Sequence, residues 1–253
     1  MNGEHMIGTR TPGGYRGRGL NGEVVELLGR RILSGEFTDG QTLDMPGLEQ
    51  ELDISRTVLR EALRVLKAKG LVDARPKRGT FVQPRTEWRL LDPDVVRWQF
   101  AGRDDNQFLD DLAEMRGIIE PAGARLAAMR RTDEDIAALE LAIDRMAAAA
   151  RGDGDAVAAD VAFHRALLAA THNELLVRME VVLETGLAAR DRLVHGAVQD
   201  DDPTPAHTAV LAAVRDRDPQ AAAAAAGALL AKSLVDVEKA RAASSPAAAG
   251  EQL

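Results

Sequence analysis

Apolar residues recur three and four apart along most of the chain, and the rhythm breaks at a few polar stretches. Val24, Leu28 and Ile32 mark the inner face of a helix over about 21–35. "PGLEQEL" (46–52) opens a short second helix at a proline, where the missing N–H leaves nothing unpaired. "SRTVLREALRVLKAKG" (55–70) predicts a third, with Ser55 as N-cap and Gly70 as stop. "LVDARPKRGTFV" then reads as two short strands around a Lys-Arg-Gly turn. Three helices followed by a hairpin is the order of a winged helix-turn-helix.

"QPRTEWRLLDPDVVRW" (83–98) interrupts the pattern with two prolines and both tryptophans, and leads into a helix at Pro93. Helical periodicity then persists through about 105–130, 134–151, 155–171, 174–195, 203–216 and 219–241, with clear breaks at "GDGD" (152–155) and "QDDDPTP" (199–205). Six or seven helices with short connections predict an antiparallel bundle. The expected fold is therefore mainly α, a winged helix-turn-helix followed by an all-helical bundle. We divide the chain into a disordered Gly/Arg-rich arm (1–19), a winged-helix domain (20–84), a linker (85–93), a helical domain for effector binding and dimerisation (94–242) and a disordered tail (243–253).

Composition supports helix over sheet. Aromatics make up only 3% of the chain, so Leu, Val, Ile and Ala must fill the core. There is no cysteine, which excludes thiolate chemistry and thiolate metal sites. No signal-peptide pattern or long apolar run stands out, and "AAAAAAGALLA" (221–231) is too short and Ala-rich to span a bilayer, so a cytoplasmic protein with no membrane partner is expected. The net charge of −8 hides an asymmetry: residues 1–84 carry 13 Lys+Arg against 11 Asp+Glu, the remainder 19 against 29. Different halves then suit different partners.

Charge placement on the third helix sharpens this. On a helical wheel Arg56, Arg60, Arg64 and Lys67 share one quadrant, opposite Leu59, Ala62, Leu63 and Leu66. A cationic face on a helix that follows a tight turn, with Lys77 and Arg78 at a hairpin tip beyond it, fits the major groove of duplex DNA. "SRTVLREALRVLKAKGLV" followed by "RGTFV" resembles the GntR family of bacterial transcription regulators. That resemblance implies DNA contacts from Arg56, Thr57, Arg60 and Arg64, and from a wing at Arg78 and Gly79, on a palindromic double-stranded operator read by a homodimer. The segment "LDMPGLEQEL" departs from the family's usual spacing around its proline.

The helical half carries a second signal. In "DVAFHRALLAATHN" (160–173) Asp160 and His164 fall in the middle of an apolar arc, among Phe163, Leu167 and Val161. His207 is flanked likewise by Val210, Leu211 and Val214, and Arg116 by Leu112 and Ile119. Buried charge requires a partner. Asp and His at i, i+4 project together, and both suit a divalent metal. Arg116 offers a planar fork for a carboxylate, although Glu120, one turn on, could be its internal partner.

"EMRGIIEPAGARLAA", "DVAFHRALLAATHN" and "HTAVLAAVRDRDPQAA" resemble the FCD effector domain of the FadR-type GntR subfamily. The resemblance implies a Zn-like divalent ion held by Asp160, His164 and His207, with an effector carboxylate beside it at Arg116 and Asn173. The family's fourth ligand falls at Leu229, eleven residues after Asp218, which weakens the metal site; His172 and His195 are candidates to substitute for it, although His172 falls off the apolar arc of its helix. The same resemblance points to the branch that represses galactonate-like sugar-acid operons and is released by an aldonate. No nucleophile or general base is placed for catalysis, so no catalytic residue is assigned. The alternatives are a metal-sensing regulator and a metal-dependent enzyme.

Overall fold

The computed structural model describes residues 19–102, 106–179, 183, 186–187 and 202–244. The arm up to residue 18, the tail from 245, His195 and most of the expected 174–195 helix lie outside the described residues. The chain divides into two compact units between Asp105 and Asn106.

The first unit runs α1 (Leu20–Leu33), α2 (Met45–Glu51), α3 (Arg56–Ala68), β1 (Val72–Arg75), β2 (Gly79–Val82), a single 3-10 turn (Arg85–Glu87) and α4 (Pro93–Gly102). Ser55 caps α3 by accepting the Val58 N–H at 3.4 Å. Leu59, Ala62, Leu63 and Leu66 of α3 pack with Val24, Val25, Leu28 and Ile32 of α1. β1 and β2 pair antiparallel, Val72 opposite Val82 and Arg75 opposite Gly79. The turn is therefore Pro76-Lys77-Arg78, and Gly79 opens β2 instead of forming the tip. Gly70 stops α3 at φ +78°, and a Cβ there would lie 2.2 Å from the Glu87 carbonyl oxygen, so only glycine fits.

Residues 94–102 differ from the sequence expectation. They were expected in the helical bundle, but α4 packs on α1 and contributes Val95 and Trp98 to the N-terminal core. Trp98 lies flat enough against α1 that a Cβ at Gly29 would come within 2.5 Å of its ring. Lys69 reinforces the attachment. Its buried ammonium lies 2.8 Å from Asp92 Oδ1 and 2.7 Å from Asp94 Oδ2. Arg97 continues the network to Asp94 and Glu26, each at 2.8 Å. The segment around Trp88–Trp98 is thus held against the first unit.

The second unit comprises α5 (Asn106–Arg130), α6 (Asp133–Ala150), α7 (Ala156–Ala169), α8 (Glu174–Arg178), α9 (Thr204–Arg215) and α10 (Pro219–Ser244). Its helices start where short polar side chains can cap them. Thr132 and Asp135 form a reciprocal capping box on α6. Asp155 accepts the Ala158 N–H at the start of α7. α5 packs on α10 and α7, α6 on α7, and α9 on α10, α6 and α5. The core is aliphatic and small: Ala124, Leu139, Met146, Phe163, Leu167, Val210, Val214, Ala222 and Leu229. Pro219–Lys239 is long and apolar enough to cross a membrane by length and composition only, a property it shares with core helices of soluble proteins. Here it is a bundle helix: Ala222, Ala226, Leu229 and Leu230 are buried against its neighbours.

Candidate functional site

Two regions collect the charges singled out above. On the first unit, the apolar face of α3 is buried, and this forces Arg56, Thr57, Arg60, Arg64 and Lys67 to the exposed side. Arg56 is 71% exposed with Glu49 only at 3.9 Å, and Arg64 is 79% exposed with Glu61 at 3.2 Å. Such pairs are weak and salt-screened, so both guanidinium groups are free to exchange an acidic neighbour for a phosphate. Lys67 is engaged by Asp73 at 2.7 Å.

The wing is more constrained than the sequence indicates. Arg78 donates from Nη2 to the Gly40 carbonyl at 2.8 Å and stacks 3.7 Å above the Phe81 ring. Its guanidinium is folded against the base of the hairpin, while exposed Lys77, at φ +65°, occupies the turn beside it.

The second region lies inside the helical unit. Arg116 and Glu120 come from α5, Asp160 and His164 from α7, His207 from α9. The i, i+4 spacing on α5 places Arg116 Nε 2.5 Å from Glu120 Oε1. The other Glu120 oxygen lies 2.8 Å from His164 Nδ1. Arg116 Nη2 is 3.4 Å from His164 Nε2. Asp160 Oδ1 faces both imidazoles, 3.0 Å from His207 Nε2 and 3.7 Å from His164 Nε2. His207 donates from Nδ1 to the Pro203 carbonyl at 2.8 Å. Phe163 packs edge-on to both histidines.

His164 Nδ1 and His207 Nε2 each have a carboxylate in reach, yet the bonds are not aligned as directed hydrogen bonds. For His164 distance decides the electrostatics: at about 3 Å in a buried setting its attraction to Glu120 persists whatever the N–H angle. Arg116, Glu120, His164 and His207 are at most 5% exposed.

Their protonation follows from these contacts. Burial alone would raise the Glu120 carboxyl, but the His164 and Arg116 cations outweigh it and hold it at about 2. Burial opposes the charge on Asp160 too, and His164 and His207 overcome it, so its pKa falls well below the usual carboxylate range. For His164 burial favours the neutral ring, yet Glu120 and Asp160 push it up to about 9. Two cations and two carboxylates thus balance inside the bundle.

The structure brings Asp160, His164 and His207 together, the set that the resemblance implied: one ligand atom from each lies within 4.8 Å of the others. Two imidazoles and a carboxylate with an open position fit Zn²⁺ or a similar ion. Leu229 is buried in the same core and offers no donor. Arg116 joins the cluster already paired with Glu120, the internal partner the sequence left open.

Asn173, which the resemblance implied as an effector contact, has a structural role here. Its side-chain oxygen accepts the N–H groups of Leu175 and Leu176, so it caps α8. His172 is also elsewhere: it is half exposed, 2.8 Å from Asp135 Oδ2. Glu120 is the residue that sequence reasoning undervalued. Its signal was the shared apolar arc one turn after Arg116.

Comparison with known proteins places both units. The model for bacterial regulatory proteins of the gntR family matches residues 20–82, and the FCD domain model matches residues 111–232. The chain is 33% identical over 213 residues to the galactonate operon transcriptional repressor of Escherichia coli K12, covering 83% of this chain and 93% of that one. It is 35% identical over 209 residues to an uncharacterized HTH-type transcriptional regulator of Mycobacterium tuberculosis, covering 82% and 85%. Among solved structures, Lar, which controls expression of the Listeria monocytogenes agr system, aligns over 87% of this chain and 97% of its own with a TM-score of 0.61. At 17% identity that likeness concerns the fold alone.

Proposed function

The chain belongs to the GntR family of bacterial transcription regulators, with an FCD domain following its winged helix-turn-helix, and from that premise we propose that it represses a sugar-acid catabolic operon and is released by an aldonate of the galactonate type. It is a DNA-binding regulator, not an enzyme. The observation that carries the effector half is the convergence of Arg116, Asp160, His164 and His207 from three helices inside one unit. The relative named for galactonate, 33% identical over most of the chain, supports the choice of ligand class.

In this account the protein works in the cytoplasm as a homodimer on a palindromic operator. Arg56, Thr57, Arg60 and Arg64 present the cationic face of α3 to the major groove, where arginine suits guanine edges or phosphates. The wing, with Lys77 at its turn, approaches the neighbouring backbone, and Gly79 and the stacked Arg78 set its shape. In the helical unit Arg116 grips the effector carboxylate. Asp160, His164 and His207 would hold a divalent metal, which supplies a Lewis-acidic grip on carboxylate and hydroxyl oxygens. Effector binding shifts the regulator only through preference for the conformation that binds operator poorly.

A thermal-shift screen of sugar acids, with and without Zn²⁺, tests this reading. Binding to the folded state raises stability by RT ln(1 + [L]/Kd), so an aldonate is expected to raise the melting temperature of the helical unit. Failure of every aldonate, with metal present, would refute the effector class. One observation favours a second reading, a metal-sensing regulator: Arg116 is already held by Glu120 at 2.5 Å. That reading expects Zn²⁺ alone to change operator affinity.

A further inference from the structure

Glu120 is 1% exposed and among the largest fully buried side chains. A carboxylate so deeply placed needs more than one partner, and its two oxygens diverge to find them. Oε1 meets Arg116 Nε at 2.5 Å and Oε2 meets His164 Nδ1 at 2.8 Å. On the far side of the same ring, Nε2 faces Asp160 Oδ1 at 3.7 Å, and His207 Nε2 reaches that oxygen at 3.0 Å.

The two histidines are therefore treated alike. Each has Nδ1 against an acceptor: His207 donates to the Pro203 carbonyl, while His164 Nδ1 lies 2.8 Å from the Glu120 carboxylate as an ion-pair contact without an aligned hydrogen bond. Each leaves Nε2 turned toward Asp160. A carboxylate close to the outer nitrogen of an imidazole favours the proton there and restrains the ring, and the inner nitrogen becomes a stronger donor to a metal. The pairing with Arg116 fixes Glu120 in turn, because both atoms sit on successive turns of α5.

We infer that Glu120 is the positioning residue of the metal site: it holds His164 through Nδ1, presents Nε2 beside Asp160 and His207, and strengthens a ligand set that lacks a donor at Leu229. The inference rests on the reading of Asp160, His164 and His207 as metal ligands. It also ties the group that grips the effector, Arg116, to a metal ligand through one carboxylate.

The test uses the full chain with Zn²⁺. Affinity is measured by competition with a chromophoric chelator for wild type and Glu120→Gln, which keeps the shape and removes the charge. Outer-partner loss of this kind lowers metal affinity about 10–100-fold, and that loss is expected while operator binding stays intact. A long-range ¹H–¹⁵N histidine spectrum of Zn²⁺-loaded wild type gives a readout free of substitution. His164 is expected to carry its proton on Nδ1 and the metal on Nε2. Glu120→Gln binding Zn²⁺ within about twofold of wild type, or metal on His164 Nδ1, overturns the inference and leaves the metal site standing. If Glu120→Gln does not fold, the wild-type spectrum decides. Wild type that takes up no Zn²⁺ overturns the metal reading and this inference together.

Discussion

Replacing Arg116 by alanine should separate the proposed effector response from operator binding. Arg116 is 5% exposed, and its Nε lies 2.5 Å from a carboxylate that is itself 1% exposed. Removing one partner of a buried ion pair costs about 3–5 kcal/mol, because the other charge is left uncompensated. Glu120 keeps His164 at 2.8 Å, so the lower end applies, about 3 kcal/mol. For a unit of about 150 residues each kcal/mol lowers the melting temperature by about 2–4 °C, which gives about 6–12 °C in all. The helical unit of Arg116→Ala should therefore melt early by calorimetry, while operator affinity, measured by fluorescence anisotropy with the protein well below its melt, stays close to wild type. Aldonate should no longer weaken operator binding. A wild-type response to aldonate would remove Arg116 from the effector site, and an unchanged melt would refute the energetic reasoning about the buried pair.

Arg60→Ala removes an exposed cation from α3, so it should weaken operator binding by about 1–3 kcal/mol if Arg60 reads a base, with effector binding by thermal shift unchanged; loss of both together would indicate misfolding. Metal-free protein should show a defined pH window. His164 is raised from 6.5 to about 9, so its stabilisation is complete below about 6.5 and lost as pH rises through about 9. Glu120 is lowered from 4.5 to about 2, so its share is complete above about 4.5 and lost as pH falls through about 2. Melting curves between pH 3 and 9.5 check both limbs, and a flat profile would contradict them. Zn²⁺ must displace the His164 proton, so affinity should rise about tenfold per pH unit approaching 9; pH-independent binding would rule out His164 as a ligand. Leu229→His restores a fourth donor and should tighten Zn²⁺ binding in the same competition assay; weaker binding would place residue 229 outside the metal's reach.

Much of this was legible in the chain because local rules and the tertiary fold agree. Ser55 and Gly70 mark helix limits that the fold keeps, and the inward angles of Asp160, His164 and His207 follow from periodicity alone. What periodicity cannot give is which core a helix serves. α4 is amphipathic in either assignment, and only the fit of Trp98 over Gly29, with buried Lys69 between Asp92 and Asp94, assigns it to the first unit. Lys69 itself reads as one more basic residue until its burial is seen. Asn173 was legible as polar near the site, but its capping of α8 depends on where that helix begins. Arg78 looked like a wing tip because hairpin register is set by pairing, and the pairing puts its guanidinium back over Phe81.

Operator affinity titrated with galactonate in the presence of Zn²⁺ tests the central claim most directly. Coupling between an effector site and a second site is commonly about 1–3 kcal/mol, or about 5–150-fold. The account predicts a loss of operator affinity in that range for wild type, and none for Arg116→Ala. Operator affinity that galactonate and related aldonates leave unchanged in wild type would contradict it.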